Sequence, residues 1–379
     1  MDFEWTAAEQ ELRRRLQEFV AEHVPPDWTL YDRDMPTPAD VEAVRAYCRE
    51  LARRGLLTPS WPAEYGGREA SSWEQLVISE ELWGAGEPRG SQYMGVTWIG
   101  PALMLAGTPE QKARHLPSIA RGEAMWAQGF SEPGAGSDLA ALQTAARRDG
   151  DHYVVNGQKI WTSYAQAADH IFLLVRTSPE RYGISILLVP MDLPGIEVRE
   201  IPTVGFHHVV HEVFFTDVHV PADCLLGAEN DGWGLIRTIL ANERVGIARH
   251  ERADRALDEL VTEAAENGVA LDDPHVQEVL GRAAAATAAS RVLNYVAADL
   301  AYRDTPDRAT AASTYRAAMA QMEHGITHAY LDVLGPQALD AGSRGDYSVI
   351  FSTTSTIASG TTEVQLNNVA RHILGLPKG

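Results

Sequence analysis

The sequence predicts an α+β protein in which a helical segment, a β-rich segment and a second helical segment follow one another. Helix-start patterns and helical spacing of apolar residues mark residues 1–123. Short apolar runs punctuated by prolines mark residues 124–230, and long stretches without proline mark residues 231–379. A chain of 379 residues has room for two or three domains, and these changes of pattern favour three, with those bounds.

The N-terminal segment contains two patterns of a capped helix start. Thr6 followed by Glu9 resembles a capping box, and apolar residues then recur at helical spacing, at Leu12, Leu16, Phe19 and Val20. A second start lies at Thr108-Pro109-Glu110-Gln111. The polar, proline-containing stretch from Asp27 to Pro38 predicts a loop between helices.

The middle segment has apolar runs of strand length, at Ile171–Val175, Ile184–Val189 and Val213–Val220. Upstream of them, Asn156-Gly157 lies between two strand-like runs and predicts a β-hairpin with a type I′ turn. Short strands at this spacing predict a small β-barrel or sandwich.

The C-terminal segment predicts a bundle of long helices. The first covers Leu235–Leu260, which has no proline and a single glycine. The second opens at Asp273-Pro274 and runs through the alanine-rich residues 283–301, and the third runs from Thr310 to about Leu334.

The charge balance excludes some classes of partner. With 52 acidic against 32 basic residues the formal net charge is -20, which disfavours binding to nucleic acid or to an anionic membrane surface. An anionic small molecule remains compatible, because it needs only a local basic pocket. Cys48 and Cys224 show no metal or redox spacing, and neither a secretory signal nor a membrane-spanning run is visible. A reduced, cytoplasmic protein is therefore expected.

Two strings carry most of the functional information. In the string from Trp126 to Asp138, Gly134 and Gly136 allow unusual dihedral angles and close approach of the backbone. Such a loop can present backbone N–H groups to an anion or a polar ring edge, although most glycine-rich loops are only tight turns. In the string from Asn156 to Ser163, a tryptophan beside two hydroxyls could cover a flat ring, or could simply be a core residue.

Together these strings resemble the acyl-CoA dehydrogenase family, and the resemblance extends over nearly the whole chain. Other matching strings are Gly100-Pro101, Gly107–Lys112, Phe214–Pro221 and Ser359–Gln365. The resemblance implies an N-terminal helical domain, a middle β-barrel or sandwich domain and a C-terminal four-helix bundle. It also implies that FAD is held between the middle domain and the bundle, commonly with help from a neighbouring subunit.

Site residues can be carried over from the family position by position. The residues expected at the flavin ring are Gln128, Phe130, Ser131, Trp161, Thr162 and Ser163. Those expected near the adenosine or ribityl part are Thr361, Thr362 and Glu363. Ser137 is expected to face the CoA side of the substrate.

The resemblance implies α,β-dehydrogenation of an acyl-CoA thioester, in which a carboxylate takes the α-proton and flavin N5 takes the β-hydride. Many family members carry that carboxylate just before the C-terminal Gly-Thr, where this chain has Ser359. A minority place it on the first long helix of the bundle, and Glu243 matches that position. Arg244 matches an arginine near the CoA moiety. Without the family, Glu243 and Arg244 would be interpreted as a solvated charge pair.

The family's neighbour-subunit motif, Arg-x-x-Phe-Gly, is replaced here by Asn267–His275, and Leu334–Gln337 replaces a more glycine-rich string. These departures resemble bacterial members that work as heteromers of two related chains, while a homo-oligomer remains possible. The expected partners are an acyl-CoA or acyl-carrier thioester substrate and an electron-accepting flavoprotein.

Two other functions stay open at this point. One is a flavin-dependent monooxygenase or oxidase on the same fold, and the other is a non-catalytic partner subunit of a heteromeric dehydrogenase. A metal site at His207, His208 and His211 is not favoured, because the sequence around them predicts a strand and no carboxylate completes a known ligand pattern. No metal is therefore expected.

Overall fold

The computed structural model describes residues 5–24, 37–205, 208–243, 248–303, 308–358 and 360–377, without the side chains of residues 240–243, 301–302 and 308–309. The α-helices are α1 (Ala7–His23), α2 (Pro38–Arg53), α3 (Ser72–Gly84), α4 (Gln92–Met94), α5 (Gly100–Ala106), α6 (Pro109–Ala120), α7 (Gly232–Glu243), α8 (Arg249–Glu266), α9 (Pro274–Tyr302), α10 (Arg308–Leu334), α11 (Arg344–Ser355) and α12 (Thr362–His372). The strands are β1 (Trp126–Gly129), β2 (Ala145–Asp149), β3 (His152–Ser163), β4 (His170–Arg176), β5 (Ile184–Pro190), β6 (Ile196–Glu200), β7 (Val210–Pro221) and β8 (Leu225–Leu226). Short 3₁₀ turns lie at Ala63–Tyr65, Leu139–Ala141, Ala165–Ala167, Ala222–Cys224 and Gly335–Leu339, and a π-helical stretch lies at Gly95–Ile99.

Contacts within the chain group its residues into two compact units. The helical unit comprises Met1–Asp32, Ser71–Glu87 and Arg244–Gly379, and the sheet unit comprises Arg33–Ala70 and Pro88–Glu243. Helices flank a central run of strands along the chain, which confirms the predicted α+β class. The predicted domain bounds at residues 123 and 230 stay predictions. Among the described helices, none combines the length and the apolar character needed to cross a membrane.

The sheet unit is built around a mostly antiparallel sheet with strand order β6-β7-β3-β2-β4-β5-β8, and β1 lies parallel to β4. The three predicted apolar runs are confirmed as parts of β4, β5 and β7. Residues 171–175 of β4 are all fully buried, because an apolar run without alternation suits a strand covered on both faces. The helix start at Thr108 is also confirmed. The Thr108 side chain accepts from the Gln111 backbone N–H, and the Gln111 side chain accepts from the Thr108 backbone N–H.

The predicted hairpin at Asn156-Gly157 is wrong. Strand β3 runs through these residues, and the turn lies earlier, where Asp149 of β2 pairs with His152. Gly157 instead lies at an irregularity in the pairing of β3 with β7, at φ 152°. A Cβ there would lie 2.5 Å from Thr144 Oγ1. A glycine is therefore needed at this position because Thr144 approaches the backbone closely, and not because the chain turns.

In the helical unit the capping box at Thr6 and Glu9 is confirmed, and α1 buries Leu12, Leu16 and Phe19. Helices α9 and α10 confirm the two predicted C-terminal helices. The main core of this unit lies between α8, α9 and α10, and its largest members are Leu257, Leu260, Tyr315, Met319, Met322, Ile326, Tyr330 and Leu334.

Two predictions about helix ends need correction. The stretch Leu235–Leu260 is not one helix, because α7 ends at Glu243 and Ala248, before α8, has a non-helical ψ of 57°. Pro38, predicted to end a loop, begins α2, where Thr37 and Asp40 form a capping box. The rest of that predicted loop, residues 27–36, lies outside the described residues.

Candidate functional site

The first candidate segment leaves the sheet at the end of β1. Gly129 lets β1 approach β4 closely, because a Cβ there would lie 2.7 Å from Ile171 Cδ1. Phe130 is buried, at 7% exposure, with its ring centroid 6.1 Å from that of Phe172. Gln128 is half-buried just before it. The strand end therefore presents a fixed aromatic residue with a polar neighbour.

A tight turn follows, in which Glu132 and Ala135 exchange two backbone hydrogen bonds of 3.0 Å. Gly134 and Gly136 could adopt unusual dihedral angles, but neither residue has a positive φ here. A Cβ at either glycine would meet no atom within 4 Å. The space over this turn is therefore open to a ligand, and Ser137 beyond it is exposed.

The second candidate segment is the end of β3, where the pairing with β7 is irregular between Lys159 and Thr162. Trp161 lies in this irregularity at φ 59°, and its side chain is 57% exposed. The Ile160 backbone N–H donates to the Ser131 carbonyl oxygen at 2.9 Å. The structure therefore brings the two sequence-predicted segments of the sheet unit together.

The side chains at the end of β3 do not all face the same way. Trp161 is exposed and Ser163 is half-buried, whereas Thr162 between them is fully buried. The Thr162 hydroxyl has no hydrogen-bond partner among the described residues. An exposed indole with a hydroxyl two residues away and the half-buried Ser131 nearby fit a flat ring with polar edges, such as the isoalloxazine of FAD.

A buried ion pair joins the two segments, and no pattern in the sequence identified it. Lys159 Nζ lies 2.7 Å from Glu132 Oε1, and both side chains are buried. Burial lowers the pKa of Lys159 to about 8, although Glu132 opposes that shift. Burial opposes ionisation of Glu132 as well, but the charge of Lys159 and hydrogen bonds hold the pKa of this carboxyl below its usual range.

A separate group of predicted residues lies in the helical unit, at the start of α12. Thr361 is the N-cap, and its side chain accepts from the Val364 backbone N–H at 3.2 Å, which leaves its hydroxyl hydrogen free to donate. The Thr362 backbone N–H donates to the Thr356 carbonyl oxygen at 2.9 Å, and its buried hydroxyl has no partner among the described residues. Glu363 is exposed.

Glu243, the predicted base, is the last residue of α7, and its side chain is not among those that the structure describes. Arg244 and Ser359 also lie outside the described residues. Helix α7 itself is anchored by Ile236 and Ile239, which are 1% and 4% exposed. Glu243 as base and Arg244 as a CoA contact therefore stay predictions.

Of the three histidines considered for metal binding, His207 lies outside the described residues. His208 Nδ1 lies 2.9 Å from Glu200 Oε2, and His211 is buried on β7 with its pKa lowered by burial.

The helical unit contains an ionisable cluster that the sequence did not reveal. The ligand-type atoms of Glu80, His250 and Glu251 lie within 4.8 Å of one another. Arg13 pairs with Glu80, and Arg291 pairs with Glu251 at 3.1 Å. Because guanidinium groups already neutralise both carboxylates, this cluster is a structural ion-pair network that ties α1, α3, α8 and α9 together.

Comparison with known families agrees with this architecture over nearly the whole chain. Residues 6–123 match the N-terminal domain of acyl-CoA dehydrogenases, residues 127–218 match the middle domain and residues 230–374 match the C-terminal domain.

Individual relatives give the same result. The chain is 35% identical over 347 residues to acyl-CoA dehydrogenase IpdE1 of Mycobacterium tuberculosis, with 89% of each protein covered. The Tcur3481-Tcur3483 steroid ACAD is 34% identical with a TM-score of 0.86, and all of both chains is covered. The ChsE4-ChsE5 complex from M. tuberculosis is 32% identical with a TM-score of 0.88, also over all of both chains. The resemblance noted in the sequence is thus confirmed, and the chain belongs to the acyl-CoA dehydrogenase family of oxidoreductases, whose cofactor is FAD.

Proposed function

We propose that this protein catalyses the FAD-dependent α,β-dehydrogenation of an acyl-CoA thioester. The observation that carries the proposal is the pairing of the Phe130–Ser131 segment with the end of β3, which brings together the segments that bear the exposed indole of Trp161 and the half-buried Ser131 and Ser163. When bound, FAD would supply the acceptor, at its N5, for the β-hydrogen that leaves the acyl group as hydride.

The residues of the sheet unit hold and orient the flavin ring in this proposal. Trp161 would cover the flavin ring, and the hydroxyl of Ser163 would donate to its edge. Phe130 and Ser131, with Gln128 next to them, would also contact the ring. Thr162 contributes through its backbone, because its side chain is fully buried. Ser137, exposed beyond the tight turn, faces the thioester and its CoA.

Glu243 is the proposed catalytic base. Its carboxylate takes the pro-R α-proton of the thioester while the β-hydrogen leaves. A carboxylate performs this step best when water is excluded and its pKa rises towards neutrality. The alternative position is occupied by Ser359, and a serine hydroxyl without a further base cannot take this proton. Arg244, the next residue, would contact the CoA moiety.

The residues at the start of α12 form a second set of proposed cofactor contacts. Thr361 and Thr362 offer hydroxyl groups to the adenosine or ribityl part of FAD, and the N-terminus of α12 favours negative charge. Glu363, which is exposed, would accept from ribose hydroxyls.

The substrate class proposed is an acyl-CoA with a bulky, steroid-like acyl group. The likeness to a steroid ACAD over the full length of both chains supports this class over a short linear acyl group. The same likeness, with that to the ChsE4-ChsE5 complex, supports assembly with a related chain. An electron-accepting flavoprotein is the proposed acceptor of the electrons.

The test of the proposed reaction is a comparison of Glu243→Gln with Glu266→Gln, an exposed glutamate at the end of α8. Both proteins are assayed with acyl-CoA substrates and an artificial electron acceptor. Glu243→Gln is expected to lower turnover by at least about 10³-fold with FAD still bound, because the amide cannot take the proton. Near-normal turnover of Glu243→Gln would show that Glu243 is not the base.

A further inference from the structure

The ion pair between Lys159 and Glu132 makes contacts that go beyond neutralising charge. Lys159 Nζ also donates to the Phe130 carbonyl oxygen at 3.2 Å. The next residue, Ile160, donates its backbone N–H to the Ser131 carbonyl oxygen at 2.9 Å. Two successive carbonyls of the loop after β1 are therefore held by two successive residues of β3.

Glu132 fixes the same loop from its other side. Its Oε1 accepts from the Thr144 backbone N–H at 2.9 Å, and its Oε2 accepts from the Gln143 backbone N–H at 2.6 Å. With Lys159 as a third donor, the carboxylate ties the loop both to β3 and to the segment that enters β2. A buried charge pair with its hydrogen bonds satisfied in this way fixes one arrangement of the backbone.

We infer that Lys159 and Glu132 act as a positioning pair for the cofactor: they set the Phe130–Ser131 backbone against the end of β3 so that Trp161 and Ser163 meet the flavin ring in register. The inference rests on the proposed flavin contacts of the sheet unit. Both side chains are buried, Lys159 fully, so we assign them a positioning role and not a catalytic one. The role is specific to an ammonium group, because an apolar side chain of similar length would leave the Phe130 carbonyl without this donor.

The geometry separates this role from simple stabilisation. A buried ion pair can often be replaced by neutral residues of similar volume without loss of stability. Such a replacement leaves no buried charge unpaired, but it does not restore the hydrogen bond that Lys159 donates to the Phe130 carbonyl oxygen. Stability and cofactor binding should therefore respond differently to the same substitution.

The test uses the double variant Lys159→Met with Glu132→Gln, which leaves no buried charge unpaired. The wild-type protein, co-expressed with its related chain if FAD uptake needs one, is the reference. FAD affinity is measured by titrating the apoprotein, and the flavin absorption spectrum and apoprotein melting temperature are recorded. The double variant loses the donor to the Phe130 carbonyl and one acceptor for the backbone N–H groups of Gln143 and Thr144, so it is expected to melt below the wild type but no lower than the cavity variant described next. It is expected to bind FAD about 10-fold more weakly and to show a flavin spectrum shifted towards that of free FAD.

A matched control is Leu187→Ala, which creates a cavity in the core of the same sheet without touching the pair. This variant should melt lower yet keep the wild-type flavin spectrum. If the double variant does not fold, Lys159→Gln with Glu132→Gln decides, because it also leaves no buried charge unpaired and keeps a hydrogen-bonding group at both positions. An FAD affinity about 3-fold weaker with a shifted spectrum is then expected. Wild-type affinity and spectrum in the folded variants would overturn the inference. A reference protein that takes up no FAD would instead refute the proposed flavin site.

Discussion

The backbone N–H of Ile160 lies 2.9 Å from the carbonyl oxygen of Ser131, which links two segments almost 30 residues apart in the chain. Because Trp161 is the next residue of β3, the position of its indole depends on this link as well as on the sheet. At 57% exposure the indole is also one of the most exposed large hydrophobic side chains of the sheet unit among the described residues. An apolar ring held by a fixed backbone but left open is suited to a ligand.

Removing the indole should therefore affect FAD more than the fold. We expect Trp161→Ala to weaken FAD binding about 10-fold, or ~1.4 kcal/mol, because ring stacking is lost. Its apoprotein should melt close to the wild type, since a side chain this exposed adds little to folding. The measurement is an FAD titration of the apoprotein. The matched control is Tyr182→Ala, an aromatic residue of the same unit that is 53% exposed.

If both variants bind FAD like the wild type, the proposed ring contact is wrong. If both weaken it equally, the effect of Trp161 is not specific. Only a loss confined to Trp161→Ala agrees with a flavin ring at this position.

The buried His115 side chain is expected to lower the free energy of unfolding in acid. Its ring, 5% exposed, makes edge contacts with Trp126 at 5.2 Å and His170 at 5.1 Å. Burial, with smaller effects of His170 and Arg114, lowers the pKa of His115 to about 4. An unfolded histidine binds its proton below about pH 6.5, so this group's contribution to stability is lost as pH falls from there towards 4.

The expected loss from this one group between pH 7 and pH 5 is about 2 kcal/mol in the free energy of unfolding. His115→Phe keeps the edge contacts but cannot titrate, so its urea midpoint should fall less over the same range. The measurement is the difference between the two proteins at each pH, which cancels the common contribution of the other titrating groups. Identical acid dependence in both proteins would contradict the assignment.

Gly157 and Gly281 predict opposite effects of the same substitution. At Gly157, φ is 152° and a Cβ would lie 2.5–2.8 Å from Thr144, so alanine should destabilise the protein by about 2–3 kcal/mol. At Gly281, inside α9, a Cβ would meet nothing, and alanine should stabilise by about 0.5–1 kcal/mol. Urea unfolding followed by circular dichroism measures both. A neutral Gly157→Ala would show that β3 can relax away from Thr144.

The elements with strong local patterns could be predicted from the sequence. Capping boxes at Thr6 and Thr108, and the fully apolar run Ile171–Val175, depend on residues a few positions apart, so the chain itself contains the signal. The flavin-site segments could be predicted only through their resemblance to a family. Taken alone, the first string is interpreted better as a tight turn, and the second better as a core tryptophan with capping hydroxyls.

What could not be predicted depends on contacts between distant residues. Asn156-Gly157 has the composition of a hairpin turn, but pairing with β7 and the approach of Thr144 make it part of a continuous strand. A lysine in a strand normally indicates an exposed face, and nothing near Lys159 in the sequence points to Glu132 as its partner. The pair becomes visible only when the fold brings the two residues to 2.7 Å.

The absence of the Arg-x-x-Phe-Gly string predicts how FAD occupancy depends on a second chain. In the family that string comes from a neighbouring subunit, and here Asn267–His275 takes its place, with Gly268 at φ 73° between α8 and α9. Copies of this chain would then lack a contact to the flavin pyrophosphate. Expressed alone, the protein should show flavin absorption well below one FAD per chain, and co-expression with a related family member from the same genome should bring it close to one. Full occupancy of the chain alone would mean that a homo-oligomer completes the FAD site without that string.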